Sequence, residues 1–337
     1  MKGRAMIPVV IAGMTVAAAF ALMAGFLGWM HPALDSFSHF RIHLAVLLIL
    51  AGSCLLLAAG WRLPGAWAIL LGLAAIVATL DLSAFTRPAE ATAASAAEPS
   101  TTAARYRLLQ INLRYDNATP ERVLSLIGRV QADVVTLDEV STMWIEKLGL
   151  IEAAYPHRII CPPPSFVGGV AILSKRPFAK EAQCLDRGAL AVASVDFGGR
   201  LVDVAALHLS WPWPLEQAQQ VANIRDDLGR ISTTALLAGD FNAVPWSHTA
   251  KSVANAGGFN ILRGIGSSWL HRYLPMSWRP HIGLPLDNVL YKGAVIPSKP
   301  SRLEFVGSDH LPVLVEFGLL REEEPAEVMQ ASVEEPE

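Results

Sequence analysis

The chain has 337 residues, 52% of them hydrophobic, and a formal net charge of −3. That length exceeds one small domain, and the apolar excess is concentrated at the front. No dense basic stripe is present, which argues against a protein that grips long nucleic acid. The three cysteines show no CxxC or Cys/His spacing for zinc.

In chain order, apolar stretches at 7–30, 43–60 and 64–82 come first. A helix needs about 20 apolar residues to cross a bilayer core, and all three stretches fit. A cleaved signal peptide is the competing reading of the first. Lys2, Arg4 and Arg62, set against Arg41 alone, put the N-terminus in the cytoplasm. Region 1–86 is therefore expected to be a multi-pass anchor in the cell (inner) membrane, with everything after it outside the cytoplasm. Residues 87–104, rich in Ala, Ser, Thr, Pro and Glu, read as a flexible linker. Residues 105–320 read as one globular domain, and the acidic tail 321–337 as disordered. Cys161 and Cys184 fall in the globular part, where an oxidising compartment would permit a disulfide. Two unpaired, buried thiols are the favoured expectation.

The globular part opens with a strand at 106–112. A helix at 120–131 follows, capped by Thr119, with Val123, Leu124, Ile127 and Val130 on one face. Further strands are expected at 133–137, 157–161 and 169–173. Gly198-Gly199 signals a hairpin between 190–197 and 200–207. An amphipathic helix at 214–231 precedes a strand at 234–238, and strands at 286–291, 302–306 and 312–317 close the domain. Hairpins mixed with strand–helix alternation predict an α/β domain with mixed sheets, not a doubly wound parallel sheet.

Four polar strings sit at the ends of apolar runs: QINLR at 110–114, LDEV at 137–140, AGDFNAVP at 238–245 and GSDHLPV at 307–313. A carboxylate after a buried strand is costly unless paired or bound to metal, so Glu139 is a candidate ligand for a magnesium-like cation; a solvated turn acid is the plainer alternative. Asn112 offers one oxygen to a metal and two N–H donors to a phosphate or carboxylate. Asp240 could orient or deprotonate water, with Asn242 holding a phosphate oxygen, or the two could form an Asx turn. His208 and His310 supply imidazoles, and Asp309 or Asp287 could orient one of them. Trp211 opens a WPWP segment after His208, and 267–285 is also rich in aromatics. Such rings suit an interface or stacked bases. No serine nucleophile elbow or reactive cysteine accompanies the set. The inventory suits attack of activated water on phosphorus beside a bound cation.

Taken in order, these strings resemble the endonuclease/exonuclease/phosphatase superfamily over about residues 105–320. QIN is similar to its first strand, LDEV to its metal-site string, and GGVAILSKRP at 168–177 to its glycine-rich strand. ALHL, GDFN and SDHLPV are similar to its His, Asp-Asn and Asp-His strings. The resemblance implies a four-layered sandwich of two packed mixed β-sheets flanked by helices. It implies single-displacement hydrolysis with Mg2+ (or Mn2+ or Ca2+) held by Glu139, Asn112 and Asp309. Asp240 would activate water, and Asn242, His208 and His310 would bind the phosphate, with Asp287 behind His310. LDEV departs from the pattern, with Asp138 where Gln is usual. The expected function is a membrane-anchored, metal-dependent hydrolase of phosphate esters. Alternatives are a tethered endonuclease or exonuclease acting on DNA or RNA, and a non-catalytic binding protein on the same fold. Expected partners are the lipid bilayer and a phosphate-ester substrate (lipid headgroup, soluble phosphodiester or nucleic acid), with no protein partner.

Overall fold

The computed structural model describes residues 2–80, 104–162 and 165–320. The tail expected at 321–337 and the linker expected at 87–104, Ala104 apart, lie outside the described residues. The front of the chain forms α1 (Lys2–Phe26), α2 (Pro32–Ser36), a 3-10 turn at Phe37–Phe40, α3 (Arg41–Leu56) and α4 (Arg62–Leu80). Three helical stretches, Met6–Phe26, Pro32–Leu56 and Arg62–Leu80, are long and apolar enough to cross a membrane. A Cβ on Gly52 would lie 2.6 Å from the Gly65 carbonyl oxygen, so α3 and α4 approach where both are glycine. Small residues are how helices pack closely in apolar surroundings. Phe20, Leu50, Leu63 and Trp67 point outward and exposed.

The second part runs β1 (Tyr106–Asn112), α5 (Pro120–Val130), β2 (Val134–Val140), α6 (Thr142–Gly149), β3 (His157–Ile160), β4 (Gly169–Ser174), β5 (Gln183–Leu185), β6 (Leu190–Asp196) and β7 (Leu201–Leu207). It continues with α7 (Gln217–Asn223), α8 (Arg225–Arg230), β8 (Ala235–Asp240), α9 (His248–Gly257), β9 (Asn260–Ile261), α10 (Arg279–Ile282), β10 (Asp287–Lys292), β11 (Val295–Pro297), β12 (Ser301–Arg302) and β13 (Val313–Leu319). One sheet has the order β11-β13-β1-β2-β4-β3, with β12 also on β13, and the other β5-β6-β7-β8-β10-β9. Among the described residues, only β1–β2 and β7–β8 pair in parallel; the other strand pairs are antiparallel.

Alternation along the strands builds the layers. Leu108, Val134, Ile172 and Val315 of the first sheet meet Ala193, Val204, Leu236 and Val289 of the second. The opposite faces bury Leu109, Ile111 and Val135 under α5 and α6, and Ala205 and Leu237 under α7 to α9. Two mixed sheets between helical layers are the four-layered sandwich that the resemblance implied.

Several local readings change. The helix expected over 214–231 breaks at Ile224 (φ −86°, ψ 1°) into α7 and α8. Val221, Ile224 and Leu228 are buried as expected, but Leu215 is exposed. Thr119 makes no side-chain cap, and its own N–H donates to Asn117 Oδ1. Cys161 and Cys184 form a disulfide instead of remaining thiols. It ties the β3 edge of one sheet to the β5 edge of the other.

The two parts of the molecule are joined by buried polar contacts. Asp35, on α2, is 4% exposed. It accepts from His248 N at 2.7 Å and Thr249 N at 2.9 Å, the first backbone donors of α9. Trp246 Nε1 donates to Ser38 O at 2.8 Å, and His39 Nε2 lies 3.1 Å from the Asn242 carbonyl oxygen. Arg263 donates to Leu80 O at 3.4 Å. The segment joining the first two long helices and the end of the third therefore meet the same domain from the same end of the bundle.

Candidate active site

Gln110 and Asn112 lie two apart on β1 and face the second sheet. Asn112 Nδ2 donates to Glu139 Oε1 and to Asp240 Oδ2, both at 3.0 Å. One amide thus joins an acid from each sheet. Its oxygen accepts from Arg114 N at 2.9 Å. Gln110 Nε2 similarly donates to Asp138 Oδ2 at 3.0 Å and Asp287 Oδ1 at 3.1 Å.

Glu139 would face away from Asn112 on a regular strand. The β2–β4 register shifts between Leu137 and Val140, and Glu139 adopts a φ of 58°. That bulge re-aims the side chain. Gly168, at φ 113°, lies beneath it; a Cβ there would be 2.7 Å from the Glu139 carbonyl carbon and 2.5 Å from that of Val140. Glu139 Oε2 then accepts from Tyr115 N at 2.8 Å.

On the second sheet, Asp240 ends β8 opposite Asp287 of β10. Asn242 N donates to Asp240 Oδ1 at 2.8 Å, and Asn242 takes a φ of 46°, so the pair does form an Asx turn. Asn242 Nδ2 donates to Leu209 O at 2.8 Å. Asp240 Oδ2 lies 3.4 Å from His310 Nε2 and 3.8 Å from His208 Nε2. His310 Nδ1 donates to Asp287 Oδ2 at 2.8 Å. Asp309 turns elsewhere: its Oδ2 accepts from Trp269 Nε1 at 3.1 Å, and Arg279 Nη1 holds its carbonyl at 3.0 Å.

Burial tunes the charges. Desolvation raises the Asp240 carboxyl to about 6 against the opposing pull of His310 and His208, with Asp287 adding to the rise. Burial alone would lower the His310 imidazole, but Asp287, then Asp240 and Asp309, push it up to about 10. Asp138 is raised well above the carboxylate range, first by burial and then by Asp240. Its Oδ2 accepts from Asp240 N at 2.7 Å.

Above this buried floor opens a cavity of about 710 Å³. Glu139, His208 and Asp309 line it, with Arg114, Arg187 and Arg272 as cations and Trp211 and Tyr273 as aromatics. The structure therefore places Glu139, His208, Asp309 and Trp211 on the cavity wall. It joins Asn112, Asp240, Asp287 and His310 to Glu139 and His208 in one buried polar network, while the Asn242 amide turns to the Leu209 carbonyl. Among the described residues, no group of three or more His, Cys, Asp or Glu is arranged to hold a metal. Glu139 and Asp309 are two carboxylates lining the same cavity, a donor set that fits magnesium, which keeps several waters and uses one or two carboxylates plus substrate phosphate. Sequence reasoning missed Gln110 and the cavity arginines, and it noted Asp138 only as a departure from the family string, not as the acceptor of Gln110 and Asp240 N. The two-residue spacing of Gln110 and Asn112 was the available signal for the first.

Residues 109–310 match the Endonuclease/Exonuclease/phosphatase family. Structures of similar fold include the endonuclease/exonuclease/phosphatase from Bacteroides vulgatus, at 16% identity and a TM-score of 0.50, covering 64% of this chain and 99% of that one. D. rerio TDP2 complexed with single strand DNA product is 17% identical with a TM-score of 0.50, again covering 64% and 99%. Sphingomyelinase C from Streptomyces griseocarneus is 18% identical with a TM-score of 0.47, covering 63% and 99%. No curated protein matches the chain. The family match spans every site residue from Asn112 to His310, and the chain belongs to the Endonuclease/Exonuclease/phosphatase family.

Proposed function

We propose that the chain is a membrane-anchored hydrolase of phosphate esters, dependent on a divalent cation. The observation that carries this reading is the convergence on Asp240 Oδ2 of Asn112 Nδ2 at 3.0 Å, His310 Nε2 at 3.4 Å and His208 Nε2 at 3.8 Å. A carboxylate so surrounded can accept a proton from water while a charged imidazole stands beside the phosphoryl group. Water oxygen bonds to phosphorus and gives its proton to Asp240. The ester P–O bond breaks, and the leaving oxygen takes a proton from His310, which Asp287 holds in place. His208 and the cavity arginines bind the phosphate oxygens. Asn242 acts through its turn, fixing where Asp240 points. Glu139 and Asp309 would hold the cation, which supplies Lewis-acid stabilisation of phosphoryl charge.

The anchoring reading is supported by three helices of spanning length and by the docking of both membrane-exit segments on one face of the domain. The disulfide supports an oxidising, extracytoplasmic setting for the domain. The test is hydrolysis of bis(p-nitrophenyl) phosphate by the full chain in detergent. Turnover that requires magnesium and disappears with EDTA is expected; turnover indifferent to EDTA would remove the metal from the scheme.

A further inference from the structure

Two lips border the mouth of the cavity. One is the 211–215 segment, where Trp211, Trp213 and Leu215 are each more than half exposed. The other runs from Tyr273 through α10, with Tyr273, Met276 and Trp278 exposed. Exposed aromatic and apolar clusters of this kind mark contact with another phase or partner. Both lips touch the emerging ends of the long helices. The Trp213 ring meets His31, a few residues past the end of α1, at 6.5 Å between centroids in an edge-on arrangement. Pro280 and His281 of α10 line a 270 Å³ cleft together with His43 of α3 and Leu80, the last residue of α4.

A helix such as Met6–Phe26 fills the hydrocarbon core, so residues just beyond it lie in the headgroup layer. Trp and Tyr favour that layer, where one side of the ring is apolar and the other wet. Trp29, Met30, Phe37 and Phe40, exposed at the helix ends, extend the same belt. The buried contacts of Asp35, Ser38 and His39 fix the domain in this pose. Inside the mouth the wall is divided: Arg114, Arg187 and Arg272 on one hand, Trp211, Leu215 and Tyr273 on the other. Such a wall fits a phosphate joined to an apolar tail.

We infer that the mouth is seated in the headgroup layer and that the substrate is the phosphoester headgroup of a lipid drawn from the same bilayer. This rests on the phosphoesterase reading and adds the source of the ester. The test uses the full chain reconstituted in phosphatidylcholine vesicles doped in turn with phosphatidylglycerol, phosphatidylethanolamine, sphingomyelin and phosphatidic acid, reading headgroup or phosphate release. Bis(p-nitrophenyl) phosphate and single-stranded DNA are run in parallel. At least one vesicle lipid should be hydrolysed. The double variant Trp213→Ser/Trp278→Ser, whose side chains lie outside the cavity wall, should cut that rate about tenfold by losing interfacial burial while soluble-diester turnover stays within about twofold. Trp278→Asp alone reads the second lip if the double variant folds poorly. If the soluble diester or DNA is hydrolysed and none of the vesicle lipids is, the lipid inference is overturned and the phosphoesterase reading stands. Equal rates for wild type and the lip variants on vesicles overturn the seating. Silence on every substrate removes both readings.

Discussion

The floor of the site and its mouth are built on opposite physical terms. On the floor, Asp138, Asp240, Asp287 and His310 are each under 5% exposed, and each is tied to a neighbour by a hydrogen bond. Charges there feel one another strongly because water is excluded. At the mouth, Arg114, Asp116 and Arg272 pair across partly exposed positions, with Arg272 and Asp116 3.6 Å apart. Solvent screens such pairs, and their side chains stay adaptable. On the proposed phosphoesterase reading, chemistry would belong to the floor and recognition to the mouth, and substitutions should divide accordingly.

The largest effect is expected from Asp240→Asn, which keeps the shape of the floor and removes its proton acceptor. kcat on the soluble diester should fall about 10²–10⁴-fold while circular dichroism is unchanged; retained turnover would break the division. Next is pH dependence. Asp240 must be ionised, so activity should rise through about pH 6, and His310 must be charged, so it should fall through about pH 10. Asp287 raises both groups. In Asp287→Asn both limbs of the pH–rate profile should therefore move to lower pH, the alkaline limb most visibly. Limbs that stay in place would mean other groups control the rate.

Smaller effects are expected at the mouth. Arg272→Ala should raise KM by roughly fivefold or less with kcat unchanged, the size of an exposed ion pair. A fall in kcat instead would move Arg272 onto the floor. Asp138→Asn should change activity least, within about twofold, because an amide can replace a protonated carboxyl and still accept from Gln110 and Asp240 N. A large loss would require Asp138 to be ionised.

The sandwich was legible in the sequence wherever one apolar run made one strand. β1 appears at its expected bounds, and the turn at Gly198-Gly199 carries positive φ angles of 78° and 86° that its glycines announced. α6 and α9 were missed because eight and ten residues give too short a period to separate from loop. α9 did carry a readable start: Ser247 Oγ accepts from Ala250 N at 3.0 Å. The candidate acids were visible as strings, but their aim was not. Glu139 reaches Asn112 only through a bulge, and Asp287, not the adjacent Asp309, meets His310, because pairing across strands separates sequence neighbours. The Cys161–Cys184 bond spans 23 residues, a spacing from which no partner can be deduced. Nor could any local pattern reveal that Asp35 reaches α9.

That last contact has a consequence for how the molecule could be cut. Thr249 Oγ1 sits 2.9 Å from Asp35 and 3.2 Å from Gln217 Oε1, while Gln217 Nε2 donates to Phe241 O and Asn242 O at 3.0 Å each. A protease nicking the chain between residues 81 and 103 would leave the halves clasped through Asp35, not shed a free enzyme. A secreted version without the helices would need another acceptor for His248 and Thr249 to keep the support behind the Asp240–Asn242 turn.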